Sequence, residues 1–244
     1  MWNGNAVPLV AASLLFIAGC DGGPTARETA TTASVPPQVE SANGRYRVDR
    51  DRNRVWFLTH EGVSLYDPSQ PQRIELSLPG WTWAGAPHGC LPDLALGPRG
   101  EAVITSDVLP TLWRIDPETL AVSVHPLTLD SDNDKDVGFS ALVYSAERGA
   151  FFAASYHHGS LWRVDPLLTR AQRVPLSAPV AHACEVTVRA RNPQRGSWLA
   201  GLCVRTPDGG WSVDFAPDQR FAYVRPASCT DRPGVMQALS LKGD

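Results

Sequence analysis

Beyond residue 44 the apolar residues come in short bursts, and Gly, Pro, Asn and Asp cluster between them. Bursts of this length bounded by turn formers predict β-strands. No three-four spacing persists there, so no long helix is predicted. The first group of strands is 45–48, 54–58, 62–66 and 73–78, with a charged turn from 49 to 53. The second is 93–97, 102–105, 111–115 and 121–127, turning first at Pro98-Arg99-Gly100. The third is 140–144, 150–155, 160–164 and 172–176, and the fourth is 184–190, 197–205, 210–213 and 220–225.

These groups recur in step. Asp67, Asp116, Asp165 and Asp214 follow one another at intervals of 49 residues, each just after an apolar segment. Around them read Leu65-Tyr66-Asp67-Pro68, Trp113-Arg114-Ile115-Asp116-Pro117, Trp162-Arg163-Val164-Asp165-Pro166 and Trp211-Ser212-Val213-Asp214. Asp can bond the backbone two residues on, and Pro fixes φ while removing a ladder donor, so the pair suits a turn. Four short strands per repeat of this size predict a β-propeller blade. The predicted fold is all-β: a small propeller of four or five four-stranded blades over 45–244. The apolar run 235–241 offers an extra inner strand for closure, and an open array completed by another chain is the alternative. Trp113, Trp162 and Trp211 are predicted to plug the gaps between blades.

The stretch Trp113-Arg114-Ile115-Asp116-Pro117-Glu118-Thr119 resembles the repeat of the YVTN, NHL and quinoprotein-like propellers. Those families usually have six to eight blades. The resemblance implies an architecture and no particular activity.

The amino terminus differs in character. Residues 6–18 form an apolar run too short to span a bilayer, which takes about 20 residues, and suited to the core of an export signal. It ends in Leu15-Phe16-Ile17-Ala18-Gly19-Cys20, which resembles the lipobox of bacterial lipoproteins, although residues 1–5 hold no Lys or Arg. The resemblance implies lipidation at Cys20, an anchor in a bacterial envelope membrane, and a head facing the periplasm or exterior. Asp21 resembles a retention signal for the inner membrane. Residues 21–44 are rich in Thr, Ala, Ser and Pro, carry too little apolar surface to order themselves, and read as a tether.

With 22 basic and 25 acidic residues the chain is near neutral, and no basic stripe supports nucleic-acid binding. Besides Cys20 there are Cys90, Cys184, Cys203 and Cys229, an even number that predicts disulfides in an exported protein. A hairpin turning between Pro193 and Gln194 would face Cys184 with Cys203, a bridge of roughly 3 kcal/mol. Cys90 and Cys229 would then clip the ring shut.

In a propeller the connectors between blades gather at one mouth of the central channel, where loops on a rigid scaffold carry function. Here they hold His88-Gly89-Cys90, His182-Ala183-Cys184, Trp81 and Trp83. Trp81, Trp83, His88, Asp136, His182 and Asp231 are the candidate ligand-binding residues. Asp130-Ser131-Asp132-Asn133-Asp134-Lys135-Asp136 has the alternating carboxylates of a calcium loop. Lys135 replaces the turn glycine, however, and Ala141 stands where the bidentate Glu belongs, so a solvated acidic turn explains it better. His88, His182, Asp136 and Asp231 could otherwise share a divalent ion, without a tight ligand motif. No nucleophile elbow, phosphate loop or Cys-x-x-Cys pair is present. The leading reading is a lipid-anchored envelope module binding a protein or small ligand. A metal-assisted lactonase or lyase, or a structural subunit of an envelope complex, are the alternatives.

Overall fold

The computed structural model describes residues 45–84, 90–130, 138–189, 201–218 and 220–229. Four antiparallel sheets follow one another along the chain. The first blade is β1 (Tyr46–Asp49), β2 (Arg54–Leu58), β3 (Gly62–Tyr66) and β4 (Ile74–Ser77). The second is β5 (Leu94–Leu96), β6 (Ala102–Ile104), β7 (Thr111–Ile115) and β8 (Val122–Pro126). A two-residue strand, β9 (Thr128–Leu129), leads to the third: β10 (Ala141–Ser145), β11 (Ala150–Ala154), β12 (Leu161–Val164) and β13 (Arg170–Val174). The fourth is β14 (Glu185–Val188), β15 (Leu202–Thr206), β16 (Gly209–Phe215) and β17 (Ala222–Pro226). The described residues contain no α-helix, only a 3₁₀ turn at Ala146–Arg148.

Alternation along each strand sends apolar side chains to both faces of the middle blades, so each blade packs on its neighbours. One core lies between blades one and two, around Trp56, Leu65, Leu94, Ile104 and Trp113. A second, between blades two and three, holds Leu112, Phe139, Phe151 and Trp162. The third, between blades three and four, holds Phe152, Leu161, Val186, Leu202 and Val213, with Trp211 packed against it. Trp113 and Trp162 are fully buried, and each of the three repeat tryptophans faces the preceding blade. Blade one has Ser64 at that position, donating its hydroxyl to Glu75 Oε2 at 2.6 Å. Among the described residues no fourth apolar core joins blade four to blade one. Absence of the tryptophan and absence of the core coincide. The run 235–241, predicted as a closing strand, lies outside the described residues.

The connectors also seal sheet edges. β9 pairs in parallel with the outer strand β13 of the next blade, and Leu176 makes a parallel bridge to Ala222 on β17. Asp130 continues this by accepting the Arg173 amide at 2.8 Å. The first residue of the calcium-like run is therefore used on a strand edge, and residues 131–137 lie outside the described set.

Three of the four periodic aspartates cap turns as predicted. Asp67 accepts the Ser69 amide at 2.9 Å, Asp116 the Glu118 and Thr119 amides at 3.0 and 2.8 Å, and Asp165 the Leu167 amide at 2.8 Å. Asp214 differs, because no proline follows and β16 runs on through it; it pairs with Arg225 at 2.6 Å. The Ser69 hydroxyl, opposed by burial and helped by the Ser69 amide and Arg54, holds Asp67 below the ordinary carboxylate range. Burial pushes Asp165 up, but the Arg170, Thr169 and Leu167 amides and the Thr169 hydroxyl outweigh it and leave it lowered. A depressed folded pKa adds stability above the unfolded value, about 3.9, and loses it as pH falls through the folded value. The thermal midpoint is thus expected to hold steady down to about pH 5 and fall below about pH 4. An Asp165→Asn variant should start lower and show a shallower acid decline by calorimetry.

Both predicted disulfide pairings are corrected. The bridges are Cys90–Cys184 and Cys203–Cys229, with Cα separations of 5.2 and 5.9 Å. In the blade-four hairpin Cys203 faces Thr187, and Glu185 faces Arg205. The register is offset by three residues from the one that would oppose Cys184 and Cys203. An odd offset also turns their side chains to opposite faces of the sheet.

Candidate functional site

The inner strands β1, β5, β10 and β14 all start on one face, and the Arg45 side chain lies where those starts converge. Its Nη2 donates to the carbonyls of Leu91 and Ser140, each at 3.1 Å, and to that of Cys184. Those three carbonyls belong to the entries of blades two, three and four. Nη1 pairs with Asp93 Oδ2 at 3.0 Å. Asp93 has no exposed surface and is bonded on both oxygens. Oδ1 takes Arg47 at 2.9 Å and the Leu94 amide at 2.8 Å, and Oδ2 also takes the Leu142 amide at 2.9 Å. Arg45 thus ties its own blade to the other three.

The Cys90–Cys184 bridge crosses the same face, joining the entries of blades two and four. It links the two His-x-Cys segments singled out in the sequence. The expected channel mouth is therefore filled by a guanidinium, its carboxylate and a disulfide.

On one side of the rim Trp81 packs against the blade one–two core and donates its indole N–H to the Thr105 carbonyl at 2.9 Å. Trp83, half-buried, stacks on it with ring centroids 6.1 Å apart. The His60 ring, from the β2–β3 turn, lies 4.1 Å from Trp83 on the same rim. This loop is held by Asp107, which accepts the Ala84 amide at 2.9 Å, and by the Ser106 hydroxyl on the Thr82 carbonyl at 2.6 Å. On the opposite side His182 is exposed, has φ of 61°, and lies 4.9 Å from the Tyr156 ring. Its amide donates to the Tyr156 carbonyl at 2.9 Å, which fixes the left-handed backbone in place. An open crevice of about 460 Å³ is lined by Gly159, Ser160, Arg173, Val174, Leu176 and Pro179.

Of the predicted binding residues, Trp81 and Trp83 meet each other and His182 stands on another blade pair. His88, Asp136 and Asp231 lie outside the described residues. Among the described residues no three His, Cys, Asp or Glu side chains converge as metal ligands. Sequence reasoning missed Arg45, Asp93, His60 and Tyr156. His60 and Tyr156 sit in the second-to-third-strand turns of blades one and three, so comparing those turns across the repeat could have found them.

No protein-family model matches the sequence, and no curated protein matches it. Solved structures do. Virginiamycin B lyase from Staphylococcus aureus superposes with a TM-score of 0.56 at 12% identity, over 79% of this chain and 58% of that one. A streptogramin B lyase gives 0.54 at 14% identity, over 79% and 57%. An auxiliary nutrient binding protein from Bacteroides thetaiotaomicron gives 0.51 at 9%, over 74% and 40%. The fold is that of a β-propeller. At these identities the likeness extends to architecture alone, and the chain spans less than two thirds of the length of each of these structures.

Proposed function

We propose that this chain is a lipid-anchored cell-envelope propeller that binds a protein or small ligand through the rim of its connector face. The observation that carries the reading is the filled axis. Arg45, Asp93 and the Cys90–Cys184 bridge occupy the place where a channel ligand would sit. The half-buried rings of Trp83 and Tyr156 and the exposed imidazoles of His60 and His182 stand around it. Disulfides fit an oxidising compartment, in keeping with export and with lipidation at Cys20. An envelope partner is the natural occupant.

The test compares capture of envelope components by the wild-type head with Trp83→Ala, His182→Gly and, on the other face, Leu167→Ser. Glycine tolerates the φ of 61° at position 182, so His182→Gly should keep stability within about 1 kcal/mol. A specific partner should be lost at least tenfold with either rim variant and retained with Leu167→Ser. Equal capture by all four proteins would contradict rim binding.

A further inference from the structure

We propose that the axis is a guanidinium receptor whose ligand the chain supplies itself. The acceptors are held in place by groups other than Arg45. Leu91 and Cys184 are positioned by the Cys90–Cys184 bridge, and Cys184 also donates its amide to the Arg205 carbonyl at 2.7 Å. Ser140 is pinned by its hydroxyl on the Ala183 carbonyl at 2.5 Å and by its amide on the Ala154 carbonyl at 2.9 Å. Asp93 is fixed by the Leu94 and Leu142 amides, by Arg47, and by its own amide on Thr105 Oγ1 at 2.7 Å. None of these contacts involves Arg45. The three carbonyls and the carboxylate would therefore keep pointing at one place with the Arg45 side chain removed.

The chemistry of the cage selects the ligand. The acceptors divide between two nitrogens, the carboxylate at Nη1 and the carbonyls gathered about the two N–H groups of Nη2, a spread that a planar guanidinium spans and a compact ammonium does not. Asp93 has no contact with solvent while Arg45 covers it, and with Arg45 shortened to alanine a planar cation that refills the cage restores that cover and engages the carboxylate and the ordered dipoles. The site extends the rim reading by adding a second, separate receptor on the same face. In the wild-type chain it is filled by the first residue after the N-terminal segment.

The experiment uses the full chain carrying Arg45→Ala and follows its thermal midpoint in millimolar methylguanidinium, far below the molar range in which guanidinium denatures. Methylammonium at the same ionic strength is the control. The midpoint of Arg45→Ala should rise saturably with methylguanidinium, by about 2–4 °C at a few times Kd. It should stay unmoved by methylammonium, and the wild type unmoved by both. Adding Asp93→Asn should abolish the rise. A folded Arg45→Ala protein that ignores methylguanidinium, or responds equally to methylammonium, overturns the proposal. Should the variant not fold unaided, refolding from urea in the two additives gives the same reading: recovery with methylguanidinium alone supports the receptor, and equal recovery or none overturns it.

Discussion

Replacing Asp93 with alanine is expected to lower the unfolding free energy by about 3–5 kcal/mol, read as a drop in the urea midpoint with an unchanged slope. The carboxylate is wholly buried and answers two guanidinium groups and two backbone amides at once. Its removal leaves Arg45, only 17% exposed, without its counter-charge, and leaves the Leu94 and Leu142 amides without their acceptor in the interior. A buried donor left unpaired costs more than a hydrogen bond contributes. Against a domain stability of about 5–15 kcal/mol the loss is large. The contrast is Glu118→Ala, which removes a bridge to Arg52 whose carboxylate is 68% exposed. Solvent screens that pair, and its loss should leave the urea midpoint almost unmoved.

The second large effect is expected at the cross-face disulfide. Cys90–Cys184 closes a loop of 94 residues, and Cys203–Cys229 one of 26. Chain entropy gives about 4.7 kcal/mol for a loop near the first length and about 3.5 kcal/mol for the second. A Cys90→Ser/Cys184→Ser protein should therefore lose roughly 1 kcal/mol more than Cys203→Ser/Cys229→Ser. The structural reason is as telling as the entropy. Three apolar cores join successive blades, but among the described residues none joins the fourth to the first. Blade four is held across the face chiefly by the bridge at Cys184 and by Arg45 on its carbonyl. Denaturation of the two double variants in parallel checks the order. A larger loss from the Cys203–Cys229 pair would contradict it.

What could be read from the sequence was what repeats locally. Asp67, Asp116 and Asp165 announced their turns because an Asx bond is made within a few residues. Trp113 and Trp162 announced the gaps between blades because their spacing matched the period. Asp214 misled, since without a following proline the strand had no reason to stop. The disulfides misled because their pairing depended on a hairpin register, and register follows from where a turn falls. Arg45 and Asp93 gave no signal at all. Each is one charged residue at the start of a strand, and their importance comes only from the convergence of four strand entries from distant parts of the chain. Trp81, Trp83 and His182 were legible as candidates from their place in the repeat, whereas the convergence of Arg45 and Asp93 between the blade entries was not. Trp81, Trp83 and His182 stand on the rim of a mouth that Arg45 fills.

The convergence of blades two and four at one face is tested most directly by mapping the disulfides of the oxidised protein. Arginines at 99, 173, 189, 195 and 205 separate the four cysteines, so non-reducing tryptic digestion followed by mass spectrometry resolves every pairing. The expected result is one peptide pair linking Cys90 to Cys184 and another linking Cys203 to Cys229. A Cys184–Cys203 pair would mean that the entries of blades two and four do not meet, and that Arg45 does not sit between them.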